Sequence, residues 1–205
     1  MNINFPAIKY TLGATALTGV LVFSAPSKSM AQSQPPQDTF VKTGVSPQGV
    51  SDSTILAFAP SPDIKIRGVA QKAKIVVDIN NNILYLYNNN GKAVNAFSVA
   101  TGKESTPTHR GIRVVGYIET YPYENAGRWT KRRKYPDSFG PNILHLYTVD
   151  PDTGARGDNG EYIHGNNNPE SIGQKVSHGC MRLDNDVAAA LSEIVHSGDF
   201  VLVVK

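Results

Sequence analysis

Apolar and polar positions change period several times along the chain. Leu12–Ala25 is one run of apolar and small residues. The stretch from Gln32 to Gly68 has no period and is broken by Pro35, Pro36, Pro47, Pro60 and Pro62. Beyond it, Lys74–Asp78 and Ile83–Tyr87 are β-branched and aromatic, with Asn80, Asn81 and Asn82 between them, which predicts strand, turn and strand. Asn90-Gly91 predicts a hairpin turn into a third strand over Ala93–Ala100. Ile112–Ile118, Asn142–Val149 and Glu161–Ile163 read as further strands, and Asp150–Gly154 reads as a turn. Helical period is clear only over Asp186–His196, where Val187, Leu191, Ile194 and Val195 share a face, Asp184 is placed to cap and Gly198 to stop. Phe200–Val204 then predicts a buried closing strand. The whole is expected to be mainly β, with one short helix near the C-terminus packed on the strands.

Composition adds an organisation to this pattern. Residues 1–31 have a weakly basic start at Lys9, the apolar run, and small residues at Ser29 and Ala31 flanking Met30. That is the form of a secretory signal peptide, and the run is shorter than the ~18 apolar residues of a membrane-spanning helix. An uncleaved anchor is the alternative; both place the remainder outside the cytoplasmic membrane, in periplasm or cell wall. Residues 32–70 read as a Pro/Ser/Gln-rich linker, in which Ile55–Ala59 has the composition of an edge segment, and 71–205 as the folded domain. A net charge of +3 with ordinary aromatic content does not suggest a nucleic-acid partner, and no obligate protein partner is evident. One cysteine excludes an internal disulfide framework and leaves a reactive thiol as the better reading.

That cysteine, Cys180, lies in the stretch Ile163–Leu183, with His164-Gly165 at its start and Ser177-His178-Gly179-Cys180-Met181-Arg182 near its end. A thiol attacks as thiolate, so it needs a base or a positive charge beside it. Either histidine can supply one. Gly179 permits close approach of the backbone to a substrate, and the amides of Gly179 and Cys180 are candidate donors to an oxyanion.

These residues resemble the signature of the L,D-transpeptidase (YkuD-type) family of bacterial cell-wall enzymes: a histidine–glycine pair, a spacer, then Ser/Thr-His-Gly-Cys, a hydrophobic residue and Arg or Asn. The likeness runs from about Lys74 to Lys205, and the loop Thr101–Gly111 carries the family's Thr-Gly and Thr-Pro-Thr. The resemblance implies a YkuD-like β-sandwich-type catalytic domain. It implies that Cys180 attacks the bond between meso-diaminopimelate and the terminal D-alanine of a peptidoglycan stem peptide, releasing D-alanine. It also implies acylation of Cys180 by carbapenem-type inhibitors, His164 as general base oriented by a main-chain carbonyl, and no metal or cofactor.

Other residues keep two readings. His178 is a second base or, as favoured here, a support for the loop. Arg182 binds a substrate carboxylate or braces the loop, and Gly165 and Ser177 are placed with it as substrate-binding positions. His145 alternates with Leu144 and Leu146 and reads as structural; His109 and His196 receive no role. Lys131–Lys134, with Tyr121, Tyr123, Trp129 and Tyr135 in the long loop Thr120–Pro141, is a solvated face or a cover over an anionic substrate. Rival functions are an L,D-carboxypeptidase using water as acceptor, a zinc site on His164, His178 and Cys180, and a wall-binding module without catalysis.

Overall fold

The computed structural model describes residues 60–205. The signal segment, most of the linker and the apolar stretch 55–59 fall outside them. Strands β1 (Asp63–Ile66), β2 (Val69–Asp78), β3 (Ile83–Tyr87), β4 (Ala93–Ser98), β5 (Thr101–Gly102) and β6 (Gly111–Thr120) come first. After a one-turn helix at Lys131–Lys134 follow β7 (Asn142–Val149), β8 (Arg156–Gly157), β9 (Tyr162–His164), β10 (Lys175–Ser177) and β11 (Met181–Arg182). The helix Asn185–Ile194 and β12 (Phe200–Val204) close the chain.

The main sheet runs in the order β11-β9-β7-β6-β12-β2-β3-β4. The last strand is thus inserted at its centre, parallel to β2 and antiparallel to β6. Just beyond β4, Ala100 N–H donates to the Arg182 carbonyl at 2.8 Å, and Arg182 N–H to the Ala100 carbonyl at 2.9 Å. The two ends of the sheet therefore meet, and its halves enclose one core. Ile75, Val77, Leu84 and Leu86 reach that core from one half, and Leu144, Leu146, Ile163 and Met181 from the other. Val187 and Leu191 of the helix join them. Burying each such side chain contributes about 1.5–3 kcal/mol. The architecture is the mainly β one that the alternation predicted.

Several elements depart from the sequence reading. β1 lies in the stretch expected as linker, because Arg67 and Gly68, with φ of 52° and 78°, turn it back onto β2. The helix stops at Ile194, since Val195 leaves it with extended dihedrals (φ −95°, ψ 137°) while staying buried in the core. The strand expected over Ala93–Ala100 ends at Ser98, and Thr101-Gly102 pairs instead with β10, in parallel. The turn of helix within the basic run carried no helical period.

Candidate active site

Strands β9 and β11 run parallel with Met181 opposite Ile163 and Arg182 opposite His164. Side chains alternate between the faces of a strand. Ile163 and Met181 enter the core, so Tyr162, His164, Cys180 and Arg182 project from the other face. Antiparallel pairing extends this face, with His145 of β7 opposite Tyr162 and Ile143 opposite His164. On β6, Tyr117 stands opposite His145 and Glu119 opposite Ile143. Two rows therefore cross the sheet: Tyr117–His145–Tyr162–Cys180 and Glu119–Ile143–His164–Arg182. The parallel register is what brings a cysteine and a histidine far apart in sequence onto one surface.

The turn before Cys180 is held from two sides. Ser177 Oγ donates to the Cys180 carbonyl at 2.6 Å and accepts the Gly179 N–H at 3.1 Å. Thr108 Oγ1 donates to the Gly179 carbonyl at 2.8 Å, and Thr106 Oγ1 to the Ser177 carbonyl at 3.2 Å. Gly179 has φ +114°, and the nearest atoms to an added Cβ would be at an ordinary 3.6 Å. Its requirement for glycine is thus one of dihedral angle, not of space.

His164 is buried, and its Nδ1–H donates to the Gly165 carbonyl. That tautomer leaves Nε2 unprotonated, as a general base needs. Burial lowers the His164 pKa to about 4, against an upward push from the Gly165 carbonyl, and the Arg182 charge adds to the lowering. The Phe139 ring, 4.9 Å away centroid to centroid, covers the imidazole. Burial pushes the Cys180 thiol up, while the Tyr162 N–H and the positive charges of Arg182 and Lys131 pull it down and Glu161 raises it. At neutral pH these effects leave Cys180 a thiol and His164 a neutral imidazole. Arg182 Nε is buried without a hydrogen-bond partner, which leaves an unsatisfied cationic donor beside both groups.

Some expected contacts have to be revised. Ser177 is fully buried, and its hydroxyl is spent inside the turn, so it is closed to a substrate. Gly165 offers its carbonyl to His164, while a Cβ there would lie 2.3 Å from Asn185 Oδ1 and 2.9 Å from Pro141 Cδ. Its part is packing and orientation. The Gly179 N–H, expected at an oxyanion, is occupied by Ser177 Oγ. The Cys180 N–H has no such partner among the described residues. His178 is exposed and its side chain makes no hydrogen bond among the described residues. No three His, Cys, Asp or Glu side chains among them are grouped as a metal ion requires.

A model of the L,D-transpeptidase catalytic domain, YkuD, matches residues 72–203. The chain belongs to the YkuD family. Two Bacillus proteins provisionally named as L,D-transpeptidases are similar to it. YkuD of Bacillus licheniformis is 31% identical over 61% of this chain and 61% of its own length. YqjB of Bacillus subtilis is 34% identical over 55% of this chain and 60% of its own. The chain thus spans about three-fifths of the length of the relatives it matches. A solved L,D-transpeptidase from Mycobacterium smegmatis is 22% identical over 67% of this chain and 64% of that one, with a TM-score of 0.45.

Around the YkuD signature stand residues that no sequence motif marked. Glu161 receives Arg113 Nε and Nη2 at 3.2 and 2.9 Å, and the His109 N–H at 2.8 Å. This buried pair lies directly behind Gly179. His145, read as structural, occupies the same row as Cys180, stacked on Tyr117 at 4.0 Å and tilted against Tyr162 at 4.6 Å. The period-2 pattern of β7 placed its side chain opposite Leu144, but only the strand register shows which neighbours it meets.

Proposed function

We propose that the chain is an exported L,D-transpeptidase acting on peptidoglycan stem peptides, with Cys180 as nucleophile and His164 as general base. The observation that carries this reading is the shared face of Cys180, His164 and Arg182, with the Gly165 carbonyl fixing the tautomer that makes His164 a base. His164 Nε2 takes the thiol proton as Sγ attacks the carbonyl joining the L-centre of meso-diaminopimelate to the terminal D-alanine. The Cys180 N–H faces the developing oxyanion. When the C–N bond breaks, the imidazolium returns the proton to the departing amine, and D-alanine leaves behind a thioester. The side-chain amine of a second stem attacks that thioester, gives up a proton to His164 and restores the thiol. Arg182, half-buried on the same face, is suited through its guanidinium charge to a substrate carboxylate. His178, exposed and without a side-chain hydrogen bond among the described residues, moves no proton in this scheme. The same thioester chemistry makes Cys180 a target for carbapenems. The signal-like composition of residues 1–31 supports a reaction outside the cytoplasmic membrane.

Product analysis on a defined tetrapeptide muropeptide tests the proposal. Dimers joined between third-position residues are expected. Tripeptide monomers alone would make the chain an L,D-carboxypeptidase, and unchanged substrate with intact binding to sacculi would make it a wall-binding module.

A further inference from the structure

The excursion from β6 to β7, residues 121–141, carries the basic run, and one anchor ties that run to the sheet. Arg132 Nε lies 2.7 Å from Glu119 Oε2, an ion pair without hydrogen-bond alignment, and His145 Nε2 lies 2.8 Å from the same oxygen. All three side chains are largely buried, at 17%, 11% and 7% exposure for Arg132, Glu119 and His145. Among the described residues, no other member of Lys131–Lys134 forms an ion pair. Burial holds His145 below the ordinary histidine range, so it is neutral at pH 7 and donates Nε2–H to Glu119. His145 in turn lies against Tyr162, whose backbone N–H meets the Cys180 thiol. Glu119 thus sits at the joint between the basic turn and the row that ends at the nucleophile.

We propose that Glu119 is a positioning residue of this site: by binding Arg132 on one side and His145 on the other, it holds the basic turn Lys131–Lys134 over the face that bears Cys180. Its consequence is a fixed positive charge near the thiol and near the entry path of an anionic substrate. The substrate part rests on the transpeptidase reading; the effect on the thiol does not.

The two are separated by measuring alkylation of Cys180 with iodoacetamide, a neutral reagent that needs no turnover. At pH 7, Lys131→Ala slows alkylation about three-fold, the scale of removing one nearby positive charge. Glu119→Ala slows it to the same extent, and the Lys131→Ala/Glu119→Ala pair is no slower than either. The sign is decisive. Removing an acid that acted only through its own charge would speed the thiol, so Glu119→Ala that reacts at or above the wild-type rate overturns the proposal. Glu119→Gln keeps an acceptor oxygen and recovers part of the rate. Arg132→Ala, at the outer end of the contact, gives the same slowing without disturbing the sheet, and a wild-type rate there is equally contrary. With a muropeptide, Glu119→Ala raises KM about five-fold at low salt and leaves kcat within two-fold. If no muropeptide is turned over by the wild type while Glu119→Ala still slows alkylation, the transpeptidase reading fails and the positioning role stands.

Discussion

Replacing Glu161 by glutamine strands a guanidinium where water does not reach. Arg113 and Glu161 expose only 3% and 4% of their side chains. Removing one partner of a buried ion pair costs about 3–5 kcal/mol. Arg113 keeps the carbonyls of Ile112 at 3.1 Å and His109 at 2.9 Å, and glutamine keeps one acceptor oxygen, so the lower end, about 3 kcal/mol, is expected. At about 2–4 °C per kcal/mol for a domain of this size, Tm falls by about 6–12 °C. Burial alone would raise the Glu161 pKa. Hydrogen bonds from the His109 N–H, Asn159, the His109 ring and Arg113 outweigh it and hold the carboxyl below its ordinary range. A depressed carboxylate contributes stability above its unfolded pKa and loses it as pH falls through the folded value. Urea unfolding at pH 7 and again in acid is the assay, and the gap between wild type and Glu161→Gln should close in acid. Because Glu161 also raises the Cys180 thiol, the variant should be less stable and yet alkylated faster at pH 7. A variant within about 0.5 kcal/mol of wild type at pH 7, the scale of an ordinary surface substitution, would mean that the Arg113–Glu161 pair does not stabilise the fold.

Burial of the thiol predicts that the alkylation rate of Cys180 keeps rising through and above the ordinary thiol range; a plateau reached in mild acid would show a preformed thiolate–imidazolium pair instead. His164→Ala should lower turnover by about a hundred-fold or more, while the exposed His178→Ala should cost far less; kinetics on folded variants checks both, and the reverse order would exchange their roles. Neutralising Lys131, Arg132, Arg133 and Lys134 together should raise KM on sacculi at low salt and matter less at high salt; wild-type kinetics at every ionic strength would reduce the run to a solvated face.

The strands were legible where β-branched residues alternate, as in β3 and β7, and the helix where Val187 and Leu191 repeat. The core followed from the same pattern, since Leu144 and Leu146 must share a face. The candidate nucleophile and candidate base stood out because Cys180 and His164 sit in a motif, and the register of β9 and β11 puts them on one face. Their support was not. Thr106 and Thr108 reach the turn at Ser177–Gly179 across a long loop closure, and no local pattern reports such a contact. Glu161 looked like the start of a short strand, and its partner Arg113 like one polar residue in another. His145 could be assigned a face from period 2, but its neighbours Tyr117 and Tyr162 depend on register, which is fixed by pairing between strands. β10 and β11 were hidden for the same reason: each is short, and each exists only through a partner distant in sequence. The oxyanion assignment went astray on one hydroxyl, because Ser177 Oγ turns inward and takes the Gly179 N–H.

Thioester formation between Cys180 and the stem peptide is checked by intact-mass spectrometry of the protein with a tetrapeptide stem ending in D-alanine. The expected adduct equals the stem less D-alanine, is located on Cys180, is lost on adding hydroxylamine and is absent from Cys180→Ala. Release of D-alanine or formation of cross-linked product by a folded Cys180→Ala protein would contradict it.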